Sequence, residues 1–317
     1  IGPSGEMLSP IAFAFANKMG HLGQGGLGAV MGSKNLKALL IRGTKGVQVA
    51  DRRSFVAAAD QVYRSLTSLS YRDDYIRIGS TIASWGTTRS RPKLSPQDEA
   101  ADIYGPSAWD QRWHATQPCP GCPIGCKFLV ELREGDHAGE LTVITGYGSA
   151  WQKFNVGSMD RTLEMRDFCN RQGLDDSTVT AIIDLVITLY ENGVITGEDT
   201  DGLELHRDYQ TAKALLHKIA RREGIGDLLA GGYAETLKAF GPDAESFGET
   251  MKNRFISDPR NRHFQAMTIA EVVSPRGSGG IHGLGPSFMP NHPVGTFRRY
   301  LERLGLTAEH IDRICAS

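Results

Sequence analysis

The sequence has almost no excess of charge: 35 Lys and Arg stand against 36 Asp and Glu, a formal net charge of −1. Without a basic stripe it lacks the electrostatic footprint of a nucleic-acid or anionic-membrane partner, and neither is expected. Long apolar runs are missing as well. The stretch AIIDLVITLY is interrupted by Asp184 and falls short of the roughly 20 residues that span a bilayer. Cysteine is scarce, five in 317 residues, which excludes the disulfide framework of a small secreted domain. No signal-peptide pattern opens the chain, so a reducing cytoplasm is the expected compartment. Repeats and low-complexity tracts are absent too. What remains, 40% apolar and 22% charged residues, describes a globular chain long enough for two or three domains. It opens on IGPSGE rather than Met and stops at DRICAS, and therefore reads as a piece of something longer.

Three regions separate by pattern. Residues 1–45 are glycine-rich and end in a strand-like apolar run, Leu39 to Ile41. A helix is expected next, capped by Asp51 and carrying Phe55, Ala58, Val62 and Leu66 on one face. Residues 70–118, rich in Ser, Thr, Arg and Pro, read as irregular. ELREGDHAGELTV suggests a hairpin-like stretch. Two helices should follow, parted by Gly173, the second running from about Asp176 or Ser177 to Asn192-Gly193. DYQTAKALLHKIARREG and IGDLLAGGYAETLKAFG predict one helix each, and GTFRRYLERLG a last amphipathic one. The fold class expected is α+β, a β-containing remnant followed by a mainly helical region.

Chemistry concentrates in QPCPGCPIGCKF, which sets Cys119, Cys122 and Cys126 at the spacing C-x2-C-x3-C. Thiolates are soft ligands, and short intervals let one loop wrap a metal centre while its backbone N–H groups point at the sulfurs. Pro118, Pro120 and Pro123 stiffen this loop. Zinc usually takes two ligand pairs, and no second Cys or His pair follows. An iron–sulfur cubane takes four cysteines, one of which can arrive from far away. An iron–sulfur cluster, zinc and no metal all stay open on spacing alone, with the cluster favoured. Cys169 and Cys315 are the other cysteines; Cys169 lies beside Phe168 in a helical stretch and reads as a small buried hydrophobe.

Taken together and in order, GQGGLGAVMGSKNLKALLIRG, CPGCPIGC, CNRQGLDDSTVTAIIDLVITLYENGVIT, DTDGLEL and IARREGIGDLLAGG resemble the tungsten-dependent aldehyde:ferredoxin oxidoreductases. The resemblance implies residues 1–45 as the end of a β-rich pterin-binding domain and 46–317 as the mainly helical domain 2 with part of domain 3. It implies a tungsten (or molybdenum) bis-pterin and one [4Fe–4S] cluster, with Cys119, Cys122 and Cys126 as three cluster ligands and the fourth beyond Ser317. It implies pterin contacts from Gly25, Gly26 and Lys34 in the glycine-rich stretch 23–35, where Lys37 also offers charge and Gln24 replaces an Arg. A second pterin segment matches NRQGLD, with Asn170 where the family carries Asp, followed by Gly173, Leu174 and Asp175. DTDGL, Asp199 to Leu203, fits the same motif by letters only and reads as a solvated turn.

His282, in RGSGGIHGLG, matches a family histidine that handles a proton. The glutamate of the family is missing from GYGS, Gly146 to Ser149, where Tyr147 offers only a hydroxyl. The activity implied is oxidation of an aldehyde to a carboxylic acid, with electrons passed to ferredoxin or another electron-transfer protein. The missing glutamate keeps two alternatives: the tungsten subunit of an aromatic acyl-CoA reductase complex, or an iron–sulfur electron-transfer subunit without its own substrate. A homo-oligomer is compatible with the sequence and not required by it.

Overall fold

The computed structural model describes residues 1–17, 20–23, 25–69, 72–73, 76, 111–145, 151–248, 250–255, 298, 302 and 306–316. The chain divides into two compact units, Ile1–Ser257 and Asp258–Ser317. The second is described mainly through its terminal helix, Ala308–Ala316, whose Asp312 pairs with Arg298 at 2.6 Å.

The first unit opens with the short helix α1 (Pro3–Glu6), the hairpin β1 (Ala14–Ala16) and β2 (Gly20–Leu22), and α2 (Leu27–Gly32). Helix α3 (Arg52–Thr67) begins where expected, because the Asp51 carboxylate accepts from the N–H groups of Arg53 and Ser54 at 3.0 Å. None of its residues is buried, and Phe55 and Val62 are more than half exposed. The apolar run Leu39–Ile41 forms no strand, and Leu40 is 99% exposed. A strand needs a neighbour to take its N–H and C=O groups, and this run has none among the described residues.

A three-stranded antiparallel sheet follows, β3 (Trp113–Thr116), β4 (Lys127–Glu131) and β5 (Leu141–Thr145), in the order β3-β4-β5. The β4–β5 pairing realises the expected hairpin, with Phe128 opposite Ile144 and Val130 opposite Thr142. Alternation turns Phe128 and Val130 into the core. Strand β3 falls in a stretch whose Ser/Thr/Pro composition suggests irregular structure; pairing to β4 overrides that local preference.

Two helices then form the centre, α4 (Met159–Gln172) and α5 (Asp176–Glu191). Ser158 caps α4 by accepting from the Arg161 N–H at 3.1 Å. Helix α5 is rich in β-branched residues, which alone favour strands. Burial decides: Val179, Ile182, Ile183, Leu185, Val186, Ile187 and Leu189 all lie in the core. Each such side chain contributes roughly 1.5–3 kcal/mol. Helix α6 (Tyr209–Arg221) packs Leu215, Leu216 and Ile219 into the same core, and Asp208 caps it at 2.8 Å from the Thr211 N–H. The expected next helix breaks into α7 (Ile225–Leu229) and α8 (Tyr233–Ala239) across Gly231-Gly232. Helix α9 (Pro242–Glu245) and the two-residue strands β6 (Thr250–Met251) and β7 (Arg254–Phe255) complete the unit. GTFRRYLERLG lies outside the described residues apart from Arg298 and Glu302. Helix and sheet occur together, and the chain is α+β.

Candidate cofactor and metal site

The cysteine loop is the connection between β3 and β4. Thr116 pairs with Phe128 at its base, and the Gln117 N–H donates to the Lys127 carbonyl at 2.7 Å, so residues 118–126 project from the sheet end. A turn closed by the Cys122 N–H on the Cys119 carbonyl, 3.0 Å, brings the first two cysteines together. All three are free thiols; Cys119 is exposed, while Cys122 and Cys126 are half-buried. Burial raises the pKa of the Cys126 thiol, and the nearby Cys122 and Cys119 raise it further. Neighbouring thiolates oppose each other's ionisation unless a cation is present. Among the described residues, no three His, Cys, Asp or Glu side chains converge tightly enough to hold a single metal ion. A cubane bonds each thiolate to a separate iron, so its ligands need not converge on one point, and the donor chemistry of this loop fits such a cluster. Cys169 is fully buried in the core, where burial raises its pKa well above the ordinary thiol value; it packs as a small hydrophobe.

The two glycine-containing segments singled out by the sequence lie against the same strand-like stretch, residues 11–13. On one side, the Phe13 N–H donates to the Gly173 carbonyl at 2.8 Å and the Asp175 N–H to the Ile11 carbonyl at 3.0 Å, flanking an Ala12–Leu174 bridge. Gly173 ends α4 at φ +73°, and a Cβ there would stand 2.8 Å from the Gly2 nitrogen. On the other side, the Gly28 N–H donates to the Ala12 carbonyl at 3.1 Å, and a Cβ at 28 would lie 2.7 Å from the Phe13 carbonyl oxygen. That contact admits only glycine. Gly25 and Gly26 lead into α2, and Lys34 is exposed on the turn after it. Lys37 pairs with Glu6 at 3.0 Å.

Asn170, in the last turn of α4, bonds through its side-chain oxygen to His21 Nε2 at 2.8 Å. Its side-chain nitrogen is buried with no hydrogen-bond partner among the described residues. His21, opposite Phe15 in the β1–β2 hairpin, stacks on that ring at 4.7 Å and meets Phe13 edge-on at 4.9 Å. Burial lowers the His21 pKa, against the opposing pull of Asn170, so the ring is neutral near pH 7. Leu174 is fully buried. Asp175 is buried beside Asp176, accepts a hydrogen bond from the Thr178 hydroxyl, and has its pKa raised to about 6, chiefly by burial. Arg166 pairs with Asp176 at 3.0 Å one turn before Asn170. Sequence reasoning missed His21: a lone histidine in GHLG carries no signal, and only the hairpin brings it to Asn170.

Asp199 accepts from the Thr196 N–H at 2.8 Å, and Asp201 holds Lys218 and the Ile225 N–H, each at 2.8 Å. Both serve an exposed turn, as expected. Gln24, Tyr147 and His282 lie outside the described residues, as does the Cys315 side chain. A cleft of about 210 Å³ sits elsewhere, between the β4–β5 turn, α4 and α6. It contains none of these site residues; among its lining charges, Lys213 pairs with Glu164 at 2.6 Å and Arg171 with Asp167 at 2.5 Å.

The described residues form an α+β fold with a three-thiol loop and two glycine-bearing segments joined through residues 11–13, and comparison with known proteins names the family. The family described as aldehyde ferredoxin oxidoreductase, domains 2 and 3, matches residues 82–310, and its N-terminal domain matches residues 1–43. The chain belongs to the aldehyde ferredoxin oxidoreductase family. It is 32% identical to a tungsten-containing aldehyde ferredoxin oxidoreductase of Pyrococcus horikoshii over 74% of its own length and 40% of that protein. It is 30% identical to an aliphatic sulfonate oxidoreductase, WOR-like subunit, of Pyrococcus furiosus, over 75% of its own length and 40% of that protein. It thus spans about two fifths of the length of these curated relatives. In fold it is similar to the active-site complex BamBC of benzoyl coenzyme A reductase with 1,5-dienoyl-CoA, at a TM-score of 0.66 and 21% identity. That likeness covers 80% of this chain and 41% of the other.

Proposed function

We propose that the chain is the cofactor-holding portion of a tungsten (or molybdenum) bis-pterin oxidoreductase that oxidises an aldehyde to a carboxylic acid. Residues 1–45 form the end of its pterin-binding domain, and residues 46–317 its mainly helical cluster- and pterin-binding region. Cys119, Cys122 and Cys126 hold three corners of a [4Fe–4S] cluster that passes electrons to ferredoxin or another electron-transfer protein. Gly25, Gly26 and Lys34 offer backbone N–H groups and a cation to the pterin phosphates. Asn170, Gly173, Leu174 and Asp175 form the wall beside the ring, and His282 exchanges a proton with the substrate. When bound, the metal–pterin group supplies the two-electron redox step, and the protein supplies position, polarity and an exit path for electrons.

The observation that carries this reading is the single stretch, residues 11–13, that hydrogen-bonds both to Gly173 and Asp175 and to Gly28. It ties together the two segments expected at the pterin, and beside them Asn170 keeps a buried amide nitrogen without a partner among the described residues. The test is turnover of the full-length, tungsten-loaded protein with aliphatic and aromatic aldehydes and a viologen acceptor. Dye reduction dependent on aldehyde is expected; a loaded enzyme inert towards every aldehyde refutes the reaction assigned. A second reading, reduction of an aromatic acyl-CoA thioester in a complex, is favoured by the absence of any acidic residue in Gly146 to Ser149. Under it the same protein is inert to aldehydes and binds acyl-CoA.

A further inference from the structure

His21 and Asn170 are 149 positions apart and meet at 2.8 Å. The imidazole is held by three contacts: the stack on Phe15, the edge-on approach of Phe13, and the hydrogen bond to Asn170. The amide oxygen is the end of the carboxamide that faces Nε2, so with that end as acceptor Nε2 carries the ring proton and donates to it, and the other end is left over. The remaining end is an NH2 group, buried and without an acceptor among the described residues. A buried donor with no partner opposes folding, and such groups persist where a ligand completes them. The neighbouring charges do not fill the role, since Arg166 and Asp176 pair with each other at 3.0 Å.

We propose that His21 is a positioning residue of the cofactor site: it locks the Asn170 carboxamide with its NH2 presented to an acceptor atom of the bound pterin. The inference rests on the pterin reading above. It assigns His21 two separable jobs, ring packing between Phe13 and Phe15 and hydrogen-bond donation to Asn170. Two variants separate them. His21→Phe keeps an aromatic ring and loses the donor; His21→Gln keeps a donor and loses the ring.

The experiment measures tungsten or molybdenum and oxidised pterin per chain in full-length wild type and both variants after identical desalting, together with thermal unfolding of the metal-free proteins. The expected result is wild-type loading in His21→Gln and a loss of about fivefold in His21→Phe, the effect of roughly one hydrogen bond. The metal-free melting temperatures are expected to give no account of that difference. Equal loading of His21→Phe and wild type overturns the positioning role, as does loading of His21→Gln as poor as that of His21→Phe. A wild-type protein free of tungsten, molybdenum and pterin, although grown with both metals, overturns the pterin reading itself and this inference with it.

Discussion

Asp175 is a carboxylate at the start of the central helix, only 8% exposed, and burial with the adjacent Asp176 charge raises its pKa to about 6 from an ordinary 3.8. A raised carboxyl pKa means that the folded chain binds the proton more tightly than the unfolded one. The protonated form therefore contributes stability that is fully present below about pH 3.8 and is lost as pH rises through about 6. The full span amounts to about 3 kcal/mol at about 1.4 kcal/mol for each pH unit. Asp175→Asn keeps the shape, the acceptor for the Thr178 hydroxyl and a good helix-capping residue, and removes only the charge. The variant is expected to be more stable than the parent by up to about 3 kcal/mol at pH 7.5, with the advantage shrinking steadily towards pH 4. Urea denaturation followed by tryptophan fluorescence at pH 4.5, 6 and 7.5 reads this directly, because Trp151 is fully buried. A variant less stable than the parent at pH 7.5 refutes the reasoning. It would mean that the Asp175 charge is held by an attraction stronger than the cost of its burial.

Two further perturbations probe the frame around the site. Arg112 grips Asp160 with two hydrogen bonds, 2.6 and 2.5 Å, at side chains 11% and 14% exposed, fastening the start of α4 to the residue just before β3. Asp160→Asn is expected to cost about 2–4 kcal/mol in chemical denaturation, and a change below about 0.5 kcal/mol would contradict a buried pair. Gly173→Ala forces a left-handed backbone on a residue with a Cβ and crowds the Gly2 nitrogen. A loss of at least about 2 kcal/mol is expected, seen as a lower unfolding midpoint.

Local signals were readable where a local cause governs. Asp51 announces α3 because a cap is a contact between near neighbours, and Gly173 announces the break between α4 and α5 because a left-handed residue ends a helix wherever it stands. The thiol loop was equally plain from spacing. Long-range pairing was not. Trp113–Thr116 is a strand only because β4 lies beside it, and Leu39–Ile41 is none because nothing described does. The Gly231-Gly232 break looked like a helix interior because the flanking residues are good helix formers. Of the candidate site, the cysteines were legible without help. Asn170 was found through resemblance alone, and His21 was invisible until folding set it against Asn170 and the two phenylalanines.

The central claim is that Cys119, Cys122 and Cys126 hold an iron–sulfur cluster beside a metal–pterin site in one protein. Metal analysis and visible absorption of the anaerobically purified full-length protein and its Cys122→Ser variant test it most directly. The account predicts about four irons and one tungsten or molybdenum per wild-type chain, with the cluster's visible absorption lost in the variant. Iron-free wild-type protein, or a variant whose absorption equals that of wild type, would contradict it.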